Sequence, residues 1–274
     1  VGSGHMLTYA FDLLYLIYQE EGYVPNEIPA LILRHNLHGL EICPRAAQLA
    51  QLALVLKARD KSRRFFQPSQ IVQPCILALQ NICFSERELE TYFDALGSSP
   101  SELDPQLPTL LGQFENATTF GSLIQPCMKE PEINAVRTAL VAKDLGSQLL
   151  LRDTHQKILR VQDQSEMLCR RYHVVVANPP YMGFKGMNAS IKAFAENAYS
   201  EARADLFAMF ISRSFTLVVT KGFCALVSMH SWMFLPSFVD LRSYLRRTGH
   251  LVNMAHCGPR SFDSISGEIV QTTS

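Results

Sequence analysis

A short apolar run, His173-Val174-Val175-Val176-Ala177, stops at Asn178-Pro179-Pro180-Tyr181. The two prolines fix φ at about −65° and remove two backbone donors, so neither a helix nor an interior sheet ladder continues through them. The run ahead of them is rich in β-branched residues and unbroken by polar ones, the pattern of a buried strand. The chain must therefore build a strand whose carboxyl end opens into a turn offering mainly acceptors.

That turn has a chemical meaning. The Asn178 side-chain oxygen and the Pro179 carbonyl can both accept from one exocyclic –NH₂ group, drawing its lone pair out of conjugation and toward an electrophile. Tyr181 supplies a flat face on which the ring carrying that amine can stack. Methylation of an amino nitrogen, most often N6 of adenine, needs this arrangement, which makes Asn178, Pro179, Pro180 and Tyr181 the expected catalytic residues. Any strand can end in a Pro-containing turn. Four specified residues directly behind a strand-like run are far rarer than a lone Pro-Pro, and that tips the reading toward function.

With 274 residues and 47% hydrophobic content, the chain can bury a full core. Its formal net charge of zero argues against strong duplex binding by these residues alone, since phosphate contacts need clustered Lys and Arg. The basic groups at 57–64 and at Arg242, Arg246 and Arg247 read as solvated helix ends. Seven cysteines are scattered without a CxxC pair or metal spacing, so reduced thiols of a cytoplasmic protein and no metal centre are expected. No apolar run reaches the roughly 20 residues of a membrane span.

Along the chain, Gly2-Ser3-Gly4 opens a helical pattern over about 7–19. A glycine turn at a helix start lets the backbone approach a ligand closely and aims free N–H groups at it; read alone, Gly-Ser-Gly-His-Met also matches the remnant of an expression tag. Leu37–Ile42 reads as a short strand carrying Glu41 near its end, followed by a helix over about 44–59. A carboxylate there suits the ribose hydroxyls of a nucleotide-like cofactor. Residues 60–115 read as an insertion, with a strand or helix at 76–82, an amphipathic helix at 86–96 behind Ser85, and a Ser/Pro-rich loop over 98–108. The stretch 117–124 reads as a third strand and its turn, and 131–171 as one long helical region. After Tyr181 come a glycine-rich loop, a helix over 204–219 opening at Asp205-Leu206-Phe207, strands at 222–229 and 251–256, a helix over 238–247, and the start of a seventh strand at 268–273. Strands alternating with helices argue for an α/β sheet covered on both faces.

The order of these motifs resembles the class I S-adenosylmethionine-dependent N6-adenine DNA methyltransferases over nearly the whole chain. NPPYMGFKGMN, DLFAMFI, SMHSWMFLPSF, AHCGPRSFD and GEIVQTTS look most like the PglX family of the phage-exclusion (BREX) systems. The resemblance implies a Rossmann-like mixed sheet with helices on both faces and an antiparallel last strand. It implies a single catalytic domain over 1–274, with the first strand missing and the last truncated, so these residues alone are expected to be marginally folded or insoluble, or to be a piece of a longer protein. It implies S-adenosyl-L-methionine as cofactor, with Gly2, Ser3 and Gly4 as the remnant of its loop, Glu41 on its ribose, and Ser122 and Leu123 on its adenine. Relatives often carry Asp or Asn at that last turn, where this chain has Ser122-Leu123. Phe207 is expected to shape the pocket, and Phe262 to pack the target base opposite Tyr181. Double-stranded DNA is the implied partner, with other proteins of a defence system. Three alternatives stand beside it: a protein glutamine methyltransferase, the methyltransferase part of a fused restriction enzyme, and a non-catalytic binding module.

Overall fold

The computed structural model describes residues 1–68, 71–142, 149–258 and 272–273. The chain divides into two compact units, Val1–Cys169 and Arg170–Ser274.

The first unit begins with α1 (His5–Glu20), α2 (Ile28–Leu31), β1 (His38–Glu41), α3 (Pro44–Lys61) and β2 (Cys75–Ala78). Strands β1 and β2 are parallel, with His38 beside Cys75 and Glu41 beside Ala78. The 60–115 stretch thus contributes a strand to this sheet. Pro44 sits in the first turn of α3, where its missing N–H costs nothing. Phe11 of α1, Ile32 and Leu33 of the π-helical turn that continues α2 (Ile32–Asn36), Leu54 and Ala58 of α3, and Phe65 beyond it form one buried core. Gly4 caps α1 in the left-handed region at φ 90°, and a Cβ there would lie 2.9 Å from the Ala50 Cα and Cβ on α3. Only glycine combines that conformation with that contact.

The rest of the unit is helical: α4 (Glu86–Leu96), α5 (Pro100–Leu103), α6 (Leu107–Gln113), α7 (Ala117–Phe120), α8 (Glu130–Val141) and α9 (Leu149–Cys169). A second core joins Tyr92, Leu107, Leu110, Phe114, Ile133 and Ile158. Ser85 and Glu88 close a capping box at the start of α4, and Glu88 also accepts from Thr154 and Lys157 of α9. Two expectations are overturned in this region. The 98–108 loop is partly helical, because Ser99 and Glu102 form a second capping box. The expected third strand at 117–124 is α7 followed by a 3₁₀ turn, Gly121–Leu123. Asn81 Oδ1 accepts from both the amide and the hydroxyl of Thr118, at 2.8 and 2.9 Å, and that tertiary contact outweighs the strand preference of Thr118-Thr119. The long helical region is two helices, with 143–148 outside the described residues.

In the second unit, β3 (Tyr172–Ala177) lies parallel to β4 (Val218–Leu226). The intervening chain forms α10 (Ala189–Ala198) and α11 (Leu206–Leu217), and α11 packs on both strands. The pairing slips between Tyr172 and Val174, where Lys221 takes φ 68°. At Gly222 a Cβ would lie 2.6 Å from the His173 carbonyl oxygen, so the crossing requires a residue without one. Strand β3 departs from the buried strand expected of its sequence: Val174 and Val176 are 57% and 54% exposed, as is Phe223 beside them at 60%. The helix α11 covers one face of the pair, and the alternate side chains point away from it. Three short strands follow around α12 (Val239–Thr248), namely β5 (Ser228–Met229), β6 (His256–Gly258) and β7 (Thr272–Thr273). Strand β7 lies between β5 and β6 and is antiparallel to both. Most of the expected sixth strand, 251–255, is irregular. The organisation is mixed α/β, with hydrogen-bonded strands in three small sheets.

Candidate active site

The residues expected to hold a cofactor lie in the first unit. Glu41 ends β1 with its side chain only 11% exposed. Its Oε2 accepts from the Gly2 amide at 2.7 Å and the Val1 nitrogen at 3.1 Å; its Oε1 accepts from Ile42 and Cys43 at 2.9 and 3.0 Å. Burial alone would raise its pKa, but the N–H donors of Cys43 and Gly2 outweigh that and hold it below the ordinary glutamate range. Glu41 is thus the anchor of the glycine turn. The 3₁₀ turn Gly121–Leu123 packs against β1, with Leu123 buried and Ser122 half-buried. Gly2, Gly4, Glu41, Ser122 and Leu123 therefore gather around the carboxyl end of β1. Ser3 faces elsewhere: it is exposed and lines a groove between α1 and α3 with Thr8, Lys57 and Asp60.

The expected catalytic residues lie in the second unit, at the carboxyl end of β3. The Val227 amide donates to the Ala177 carbonyl at 3.1 Å, so the segments leaving β3 and β4 start side by side. This is the end of a parallel pair where α/β proteins bind ligands. Asn178 and Pro180 are exposed, and Pro179 is buried. The Tyr181 ring meets Phe207 edge to face, and Phe207 in turn packs on Phe238 at 5.5 Å. The Tyr181 hydroxyl is buried without a hydrogen-bond partner, as is the indole nitrogen of Trp232, in the segment after β4. Burial raises the Tyr181 pKa, keeping the phenol neutral. Arg242 holds that second segment, donating to the carbonyls of Trp232 and Leu235 at 2.8 Å. Phe262 lies outside the described residues.

Sequence reasoning noticed Asp205 only as the start of a helix. In the structure it is 7% exposed, caps α11 through Phe207, and accepts from the Met182 amide at 3.0 Å. Burial raises its pKa and outweighs the opposing backbone hydrogen bonds. The available signal was an Asp directly ahead of a wholly apolar helix turn, a sequence mark of an N-cap.

The family of Eco57I restriction-modification methylases matches this sequence over residues 35–262. The chain belongs to that family. An adenine-specific methyltransferase BrxX of Escherichia coli O9:H4 (strain HS) is 38% identical over 291 residues, covering 99% of this chain. An adenine-specific methyltransferase PglX of Lacticaseibacillus casei (strain Zhang) is 35% identical over 277 residues, covering all of it. This Eco57I-family chain spans 24% and 22% of the lengths of those two relatives. Among its described residues, no helix is long and apolar enough to cross a membrane.

Proposed function

We propose that this protein methylates N6 of adenine in double-stranded DNA, as part of a phage-defence or restriction-modification system. The observation that carries the reading is Asn178-Pro179-Pro180-Tyr181 at the carboxyl end of the parallel pair β3–β4, with Tyr181 seated on Phe207. The target adenine must leave the base stack before its N6 can reach the turn. Tyr181 then offers its ring face to the base, while the Asn178 side-chain oxygen and the Pro179 carbonyl accept the two N6 hydrogens. Held so, the N6 lone pair is no longer delocalised into the ring and becomes nucleophilic. Positioning and fixed acceptors carry the acceleration, and no strong base is needed.

S-adenosylmethionine, when bound, supplies an electrophilic methyl group. The residues at the end of β1 fit such a group in kind: a carboxylate for hydroxyls, a glycine turn that admits close backbone approach, and the apolar Leu123. The backbone N–H groups of Gly2, Ile42 and Cys43 donate to Glu41. Ribose hydroxyls donating to Oε2 would share that oxygen with the Gly2 amide, so the glycine turn and the cofactor would meet on one carboxylate.

The test is nucleoside analysis of DNA treated with the full-length protein and labelled S-adenosylmethionine. Label in N6-methyladenine, reduced on the order of 10²-fold or more in Asn178→Ala, is expected. Label in protein glutamine instead, or full activity in Asn178→Ala, overturns the reading.

A further inference from the structure

We propose that Asp205 is a positioning residue of this site: its buried carboxylate fixes the backbone directly after Tyr181, and through it the face that Tyr181 offers to the base. The inference rests on the methyltransferase reading and names a residue outside the Asn-Pro-Pro-Tyr turn.

Asp205 joins two segments 23 residues apart in sequence. Its Oδ1 accepts from the Met182 amide at 3.0 Å and from the Phe207 amide at 3.2 Å. The backbone on either side is laced in the same way. The Leu206 amide donates to the Met182 carbonyl at 3.0 Å, and the Phe184 amide donates to the Ala204 carbonyl at 2.9 Å. Gly183 and Asp205 form an antiparallel bridge. The residue immediately before Met182 is Tyr181, and the residue two after Asp205 is Phe207, which meets the Tyr181 ring. One carboxylate oxygen therefore sets both partners of that ring contact, one through each amide.

A helix cap alone does not account for this arrangement. Capping needs an acceptor for an N–H of the first turn, and an exposed Ser, Thr, Asn or Asp provides it. Asp205 is instead buried at 7% exposure, where an ionised carboxylate is unfavourable unless its hydrogen bonds matter. Its second bond reaches outside the helix, to the residue that follows the catalytic tyrosine. Reacting groups must be held within fractions of an ångström, and supporting residues of this kind set that tolerance.

Three variants of the full-length protein test the assignment. Asn supplies the same acceptor without the charge, so Asp205→Asn is expected to keep kcat within about threefold. Asp205→Ser keeps a helix cap but is one bond shorter toward Met182, and Asp205→Ala removes both acceptors. These two are expected to lower kcat by about 10- to 100-fold, with cofactor affinity unchanged within about twofold. Hydrogen exchange at Met182 in the absence of substrate should be faster in Asp205→Ser than in wild type and unchanged in Asp205→Asn. This readout needs no turnover, and it stands if the alanine variant does not fold. With 2-aminopurine at the target position, the fluorescence change on binding should differ from wild type in Asp205→Ser and match it in Asp205→Asn.

Wild-type kcat in Asp205→Ser, or unaltered Met182 exchange in it, overturns the proposal. So does an Asp205→Asn enzyme as impaired as Asp205→Ala, which would make the carboxylate a proton acceptor. Asn178→Ala run alongside separates the two readings. Activity lost there but retained in Asp205→Ser defeats this inference alone; activity retained in Asn178→Ala defeats the methyltransferase assignment.

Discussion

The ring of Phe207 meets the ring of Tyr181 edge to face, with centroids 6.1 Å apart and planes at 84°. Phe207 is fully buried, so its truncation removes both this contact and its packing on Phe238. Phe207→Ala is expected to destabilise the second unit by about 3–5 kcal/mol. Phe207→Leu keeps most of the volume and should cost less than about 1.5 kcal/mol, while kcat falls more than stability does. Chemical denaturation followed with single-turnover methylation separates the two effects. Equal activity in Phe207→Leu and wild type would show that Tyr181 needs no aromatic support.

Gly4 makes a sharper prediction. A side chain in the left-handed conformation costs about 1–2 kcal/mol, and here the Cβ would also lie 2.9 Å from Ala50. Gly4→Ala should therefore destabilise the first unit by more than the conformational term alone and weaken cofactor binding. Ala50→Gly in the same chain should restore part of the loss. Urea melts of the two single variants and the double variant give the coupling directly.

Glu88 and Asp205 should respond to pH with opposite sign. Burial raises the Glu88 pKa, but hydrogen bonds from Lys157 and Thr154 outweigh it and leave it below its unfolded value. Its stabilisation is present above the ordinary glutamate range, near pH 4, and is lost as pH falls through the folded value. Asp205 is raised by burial, so its folded form favours the proton. Its contribution is fully present below the ordinary aspartate value of about 4 and is lost as pH rises through the folded value. Melting temperatures from pH 3 to 7 check both. The deficit of Glu88→Gln against wild type should shrink toward acid, and Asp205→Asn should gain on wild type as pH rises.

Glu41→Gln should weaken S-adenosylmethionine binding, because an amide has one acceptor oxygen where the carboxylate has two. The amide would also set an NH₂ group against the backbone donors on one side. Equilibrium dialysis with labelled cofactor measures the change, and hydrogen exchange at Gly2 tests whether its amide keeps its bond to Glu41 on binding. Unchanged affinity in the variant would remove Glu41 from the cofactor site.

What the sequence made legible was what short-range chemistry decides. The helix behind Ser85 and the one that opens at Pro44 begin where cap and proline require, and β3 ends at Ala177, just ahead of two prolines that have no N–H to give. Glu41 and the glycine turn were each visible, and the structure joins them by a hydrogen bond across 39 residues. The strand misassigned at 117–124 failed for the opposite reason: Asn81 captures Thr118 from 37 residues away, which no local pattern records. The bare face of β3 was hidden too, since an apolar run looks the same whether one side or both are covered. Asp205 was readable as a cap, whereas its hold on Met182 depends on a crossing that only the fold creates.

Among the described residues, strands β5 and β6 are joined through β7, which comes last of the three in the chain. During synthesis, both therefore leave the ribosome before the strand that pairs them exists. At translation rates of about 5–20 residues per second, a nascent chain passes from β6 to β7 in a second or so. For that interval β5 has no partner strand among the described residues, although Arg242 can already hold the segment behind it through the Trp232 and Leu235 carbonyls. This part of the second unit is thus built in two instalments, the turn after β3 first and the small sheet only once β7 arrives.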